Sequence, residues 1–243
     1  MTSPLTLITG GSRGLGWALV QNCLEAGHRV LCIARRPPPA SPAGLTVWTR
    51  DLEDALPVSE DLERWLSVQP VPTEVNLINN AGVISELCDL SEGDGADLRR
   101  ALRVGLEAPT LLTSAFLRAT SAWTVPRRVV LVSSGLGRRA MAGSATYCAA
   151  KAGMDHLARA VALEEAARPH GARVVSLAPG VIDTDMQQQL RSADPTRFAD
   201  RGRFVALQTT GQLDSPAQAA ERLMRYLRRP DFGTNPVGDV RDA

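Results

Sequence analysis

The tightest constraint on how this chain can fold lies in its first 26 residues. Leu5, Leu7 and Ile8 form a short apolar run that passes straight into TGGSRGLG, Thr9 to Gly16. A helical pattern follows, with Leu15, Ala18, Leu19, Asn22, Cys23 and Ala26 recurring at about 3.6-residue spacing. Strand, glycine turn and helix in that order make a phosphate cradle. The glycines let the backbone approach a ligand, and the helix start offers unpaired N–H groups and the positive end of its dipole.

The same alternation runs on through the chain. Residues 29–35, 45–48, 75–78, 129–134 and 173–177 are short apolar runs expected to be strands. Between them lie helical patterns over residues 59–68, where Leu62, Trp65 and Leu66 share a face, over 97–122 with an interruption near Gly105, and over 145–168. In the last of these Leu157, Val161 and Leu163 are expected in the core or at a subunit interface. Residues 215–228 read as a helix capped by Ser215, with Pro216 at its first position. The closing stretch, from Asp231 onward, is expected to supply an edge strand. Strands alternating with helices predict an α/β, doubly wound, mostly parallel Rossmann-like sheet, and the length predicts one domain over residues 1–243.

Composition narrows the partners. A net charge of +1 supplies no basic field for nucleic acid, so a small-molecule ligand is expected. The four cysteines, Cys23, Cys32, Cys88 and Cys148, form no metal-ligand spacing with the three histidines, and they fit a reduced cytoplasmic setting. No leader pattern opens the chain and no run is long enough to span a membrane.

The chemistry concentrates in residues 129–151. VVLVSS reads as a strand buried on both faces, and SGLGRRAMAGSATYCAAK follows from Ser134. Tyr147 and Lys151 stand four residues apart on a helix that Ser144 is placed to cap, so phenol and ammonium share one face. A neighbouring ammonium favours the phenolate, which predicts a lowered pKa for Tyr147. Ser134 ends the strand where its hydroxyl can reach the same carbonyl oxygen. At the end of the second strand, where a carboxylate would select a free ribose 2′-hydroxyl, stand Ala34, Arg35 and Arg36. With Arg13 they are suited to a 2′-phosphate, which predicts NADP(H).

The spacing T-G-x-x-x-G-x-G, the motif NNAG at Asn79 to Gly82, and serine followed by Y-x-x-x-K together resemble the short-chain dehydrogenase/reductase family over nearly the whole chain. That resemblance implies roles. Gly10, Ser12, Arg13, Leu15 and Gly16 would cradle the cofactor, Asp51 and Leu52 would meet the adenine, and Asn80, Ala81 and Gly82 would line the site. Pro179, Gly180, Ile182 and Thr184 would close on the nicotinamide. Tyr147 would protonate a ketone oxygen oriented by Ser134, while Lys151 binds the nicotinamide ribose. LAPGVIDTDMQQ, with ALEE at residues 162–165, is similar to the pterin- and diketone-reducing branch. There an aspartate of the last strand anchors the pterin, and an ungapped match places Asp239 on it.

An NADPH-dependent carbonyl reductase is therefore expected, as a homodimer or homotetramer. A 3-oxoacyl-thioester or other ketone reductase is the runner-up, and a catalytically weak NADP(H)-binding regulator is the alternative outside catalysis. One departure stands out. The family usually has asparagine, helping to hold a relay water, where this chain has Gly105. Pro109, four residues on, has no N–H, so the Gly105 carbonyl is expected to serve in the side chain's place. Residues 192–211 show no clean period and fall where the family has its substrate lid.

Overall fold

The computed structural model describes residues 3–242. Seven parallel strands form one sheet in the order β3-β2-β1-β4-β5-β6-β7. β1 (Leu5–Thr9) lies at its centre, pairing with β2 (Arg29–Ala34) on one side and β4 (Val75–Asn79) on the other, with Leu5 opposite both Arg29 and Val75. From β1 the chain winds outward to β3 (Leu45–Thr49), then returns across the centre to β4, β5 (Arg127–Val132), β6 (Arg173–Ala178) and the short edge strand β7 (Val237–Asp239). The winding reverses between β1 and β4, and ligands of open α/β sheets bind outside the strand ends at such a switch.

Helices cover both faces, which is why the strands read as nearly continuous apolar runs. Ile8, Val30, Val130 and Val175 point to the layer of α1 (Gly14–Glu25) and α8 (Pro216–Leu227). Leu5, Leu7, Leu31, Leu77 and Leu131 point the other way, to α2 (Ala55–Ser67), α4 (Ala108–Ala119) and α5 (Ala145–Ala166). Phe116 of α4 is fully buried there. Truncating such a residue to alanine costs about 3–5 kcal/mol. α8 is closed by a capping box, with Ser215 Oγ accepting from Gln218 N at 3.2 Å and Gln218 Oε1 from Ser215 N at 2.9 Å.

Two stretches differ from the sequence reading, and a third follows it. α2 starts at Ala55 rather than residue 59, because Pro57 falls in the first turn, where its missing N–H goes unused. The interruption expected near Gly105 is a π turn at Arg103–Glu107 between α3 (Gly95–Leu102) and α4, where Ala108 N–H reaches back to Arg103 O. The supposed lid, residues 192–211, holds one short helix, α7 (Arg201–Thr209), and a second, α6 (Asp185–Ser192), runs up to its start. Leu190 of α6, Phe204 of α7 and Phe198 between them pack onto Ile84, Leu136 and Met141, with the two phenyl rings stacked at 5.8 Å. On α5 Val161 is buried, whereas Leu163 is 76% exposed. No helix among the described residues is long and apolar enough to cross a membrane.

Candidate active site

At the carboxyl ends of the strands a cleft of about 960 Å³ opens at the switch between β1 and β4. The glycine turn, Arg35 and Arg36, Asp51 and Leu52, the Asn80–Gly82 turn, Ser134, Tyr147 and Lys151, the 179–184 segment and Asp239 all line it.

The cradle is tied together by short polar contacts. Thr9 Oγ1, at the end of β1, accepts from Asn80 N at 3.0 Å and Ala81 N at 2.9 Å, and Asn80 Nδ2 donates to Thr9 O at 3.0 Å. Gly10 has φ +67°, and a Cβ there would lie 2.9 Å from Ala81 Cα. At Gly16 a Cβ would sit 2.1 Å from Gly10 O, so α1 can start against the turn only with glycine at this position. Arg13, at the N-cap of α1, is extended and provides no side-chain cap, and no acidic residue occupies the first turn. The first N–H groups of α1 are left for an anion, as a dinucleotide pyrophosphate requires.

The cations around the adenosine end differ in their engagement. Arg13 reaches across the cleft to an ion pair with Asp185 of α6, joining the glycine turn to the lid. Arg35 and Arg36 are exposed and make no ion pair among the described residues. Asp51 accepts the N–H of Glu53 at 3.0 Å, and Leu52 behind it is buried.

The reacting end is drier. Lys151 is only 4% exposed. Its Nζ donates to Val132 O at 2.7 Å and stands 5.5 Å from the Tyr147 ring centroid. Burial pushes the Tyr147 phenol up to about 12, against a hydrogen bond with Ser134 that pulls it down. Burial also pushes Lys151 down to about 8, against the opposing pull of Asp155. The lowered phenol expected from the sequence is thus reversed. Desolvation exceeds the pull of Ser134, and Lys151 gives its hydrogen bond to a carbonyl rather than to the phenol. A phenol held protonated is an acid at neutral pH, which suits delivery of a proton to a developing alkoxide.

Ser134 also shapes its own turn, accepting from Leu136 N at 3.2 Å. Ser144 occupies the N-cap of α5 but makes no side-chain cap, because its hydroxyl donates to Met141 O at 3.3 Å. Cys148 is half-exposed beside it. Gly105 lies in the π turn against α5, where a Cβ would be 3.1 Å from Ala150 Cβ.

Asp239 is 7% exposed, and Arg241 occupies its carboxylate, donating from N at 2.9 Å and Nε at 2.8 Å to Oδ1, and from Nη2 at 2.6 Å to Oδ2. Burial alone would raise its pKa, but the hydrogen bonds and charge of Arg241 hold it below the usual carboxylate range.

The sequence reading passed over several wall residues. Leu136, Met186, Phe204 and Leu207 give the substrate side an apolar lining, and Gln187, 8% exposed, has a buried Oε1 with no partner among the described residues. A glutamine in a segment read only for its Pro-Gly turn carries no signal of that burial.

A doubly wound sheet with a glycine-turn cradle at its switch point and a Ser-Tyr-Lys group beside it defines a nicotinamide-dependent oxidoreductase. More particularly, the chain belongs to the short chain dehydrogenase family, whose family model matches residues 4–195. Among its relatives is a benzil reductase ((S)-benzoin forming) from Bacillus cereus, 31% identical over 243 residues, which cover 96% of each chain. A benzil reductase from Bacillus subtilis (strain 168) is 32% identical over 93% of each chain. A sepiapterin reductase from Meriones unguiculatus is 30% identical over 97% of this chain and 95% of its own. Among solved structures, a short-chain dehydrogenase/reductase from Burkholderia vietnamiensis superposes with TM-score 0.66 and 31% identity over 99% of both chains. The fold is shared with a 4-hydroxyisoleucine dehydrogenase complexed with NADH, at TM-score 0.79 and 20% identity over 98% of this chain and 96% of that one.

Proposed function

We propose that this chain is an NADPH-dependent carbonyl reductase acting on a ketone or diketone, with Tyr147 as its proton donor. The observation that carries this reading is the meeting of Ser134, Tyr147 and a buried Lys151 in the same cleft as an uncapped helix start. When bound, the nicotinamide supplies the hydride. Ser134 orients the carbonyl oxygen toward the phenol, Tyr147 gives it a proton, and Lys151 holds the nicotinamide ribose while its charge favours proton release. Gly10 to Gly16 and the first turn of α1 hold the pyrophosphate. Asp51 and Leu52, Asn80 to Gly82, and Pro179, Gly180, Ile182 and Thr184 complete the cofactor wall.

Arg35 and Arg36, with no carboxylate beside them, favour NADPH over NADH. Arg13 contributes to the 2′-phosphate only by leaving Asp185. Among ketones, a diketone is favoured over a pterin, since Arg241 already takes up the Asp239 carboxylate that would anchor a pterin. The Bacillus benzil reductases agree with this preference. The reading carries with it a cytoplasmic homodimer or homotetramer, for which exposed Leu163 on α5 offers an apolar contact. Initial rates of NADPH and NADH oxidation with benzil, sepiapterin and a 3-oxoacyl thioester test it. Turnover of benzil with NADPH is expected, and no oxidation with any of the three would reduce the chain to a cofactor-binding protein.

A further inference from the structure

One buried carboxylate has no place in the scheme above. Asp155 lies on α5 one turn beyond Lys151 and is only 2% exposed. Its Oδ1 accepts from Ser133 Oγ and from Ser176 Oγ, each at 2.7 Å. Ser133 adjoins Ser134 at the end of β5, and Ser176 is in β6. Its Oδ2 takes no hydrogen bond and faces Arg138 Nε at 3.2 Å as an ion pair. Arg138 in turn donates from Nη2 to Gly238 O of β7 at 2.8 Å, next to Asp239. Gly137 lets the connection press onto this point, since a Cβ there would lie 2.9 Å from Lys151 O and 3.0 Å from Asp155 Oδ2.

We infer that Asp155 is a positioning residue for Ser134 and Lys151: its carboxylate ties the end of β5 to β6 beneath them and keeps a negative charge one helical turn from Lys151. A buried ion is retained where hydrogen bonds and an opposite charge compensate its desolvation, and two serine hydroxyls with Arg138 do so here. Oδ2 accepts no hydrogen bond and meets only Arg138, so part of that charge remains to act on the lysine, which burial otherwise drives toward the neutral amine.

Among the described residues, Asp155 is the one anion that acts on the lysine. The β5 end meets it through Val132 O, and the turn beside it through Gly82, where a Cβ would lie 3.8 Å from Nζ. α5 adds Tyr147 and Cys148, and the connection adds Arg138 and Arg139. The π turn carries its charges as a half-exposed pair, Arg103 with Glu107 at 4.0 Å, and α3 pairs Arg100 with Asp97 at 2.5 Å.

The inference rests on the reductase reading for its kinetic arm alone, so two readouts are taken between about pH 6 and 10. One is kcat for benzil reduction, and the other is NADPH affinity from cofactor fluorescence. Asp155→Asn keeps the shape but removes the charge, and its alkaline limb is expected to move acid-ward by about one unit or more in both readouts. Arg138→Met leaves Asp155 without its counter-cation and should move the limb the opposite way. Ser176→Ala removes one clamp bond but no charge, so it should lower kcat by one factor at every pH. If Asp155→Asn also loses activity by one factor at every pH, the carboxylate is a structural clamp only and the inference is overturned. If Asp155→Asn does not fold, Arg138→Met decides: an alkaline displacement supports the charge role and an unmoved limb overturns it. Were the unmutated chain to reduce no ketone, the reductase reading would fail, while the NADPH affinity curves would still decide the role of Asp155.

Discussion

Lys151 donates its hydrogen bond to the Val132 carbonyl, 2.7 Å away, and meets Tyr147 only through the face of the ring. The helix spacing that aligns the two residues therefore does not make them a hydrogen-bonded pair. Strand β5 sets the lysine's position, while at the phenol the pull of Ser134 opposes the burial that raises its pKa.

On the proposed reading Tyr147 is the proton donor, and its ring rather than its hydroxyl is what the cofactor site would need. Tyr147→Phe keeps the ring that packs beside Leu136 and Met186. It should lower kcat by roughly 10²–10⁴-fold, the range of a single general acid, with NADPH affinity nearly unchanged. Near-normal turnover would place the acid elsewhere.

Lys151 works against stability. Its pKa falls from 10.5 to about 8 on folding, so between those values the unfolded chain binds more protons and stability rises with pH. Tyr147 acts in the opposite sense higher up, since its pKa rises from 10 to about 12 and stability falls as pH climbs through that window. Lys151→Met should abolish turnover yet stabilise the fold at pH 7 by about 1–2 kcal/mol, and it should flatten the rise above pH 8. Urea denaturation at several pH values measures both effects. A less stable variant would mean that the bond to Val132 outweighs the burial of charge.

On the proposed reading, cofactor choice depends on two exposed side chains, Arg35 and Arg36. Arg35→Ala with Arg36→Ala should raise KM for NADPH by tenfold or more and leave that for NADH nearly unchanged, because only NADPH presents a 2′-phosphate to forked donors. An equal loss with both cofactors would assign the phosphate to Arg13 or to none of the three.

The Asp239 carboxylate, already paired with Arg241, should matter little to a diketone. Asp239→Asn is expected to change KM for benzil and for sepiapterin by the same small factor. A rise confined to sepiapterin would show that Arg241 swings away and that the carboxylate anchors a pterin.

The sheet and the cleft were legible because they follow from local rules. Strands buried on both faces read as apolar runs, and a phosphate cradle needs glycine where a Cβ would collide, as at Gly16. The direction of the Tyr147 shift was not legible, because burial depends on how β5, α5 and the lid close together. Asp155 was passed over for a similar reason. Its serine partners come from two strands far apart in sequence, and no spacing announces them. The lid helices escaped because α7 buries only Phe204 of its nine residues, too few for a period to show.

Gly105 offers the sharpest test of how the site manages without the family's asparagine. Pro109 has no N–H to give the Gly105 carbonyl, and the chain answers with a π turn rather than a regular helix. Such turns place backbone groups outside the helical ladder, and on the proposed reading the Gly105 carbonyl is the one that serves a relay water. Restoring a side chain is then expected to do harm. A Cβ at this position would stand 3.1 Å from Ala150 Cβ, closer than packed carbons tolerate without movement of α5. Gly105→Asn should therefore destabilise by about 1–3 kcal/mol and lower kcat, since α5 carries both Tyr147 and Lys151. Combining it with Ala150→Gly removes the opposing methyl and should recover part of kcat, beyond what the two single changes predict by addition. If Gly105→Asn alone raises kcat, the backbone carbonyl does not replace the side chain, and the relay in this chain lacks the asparagine it needs.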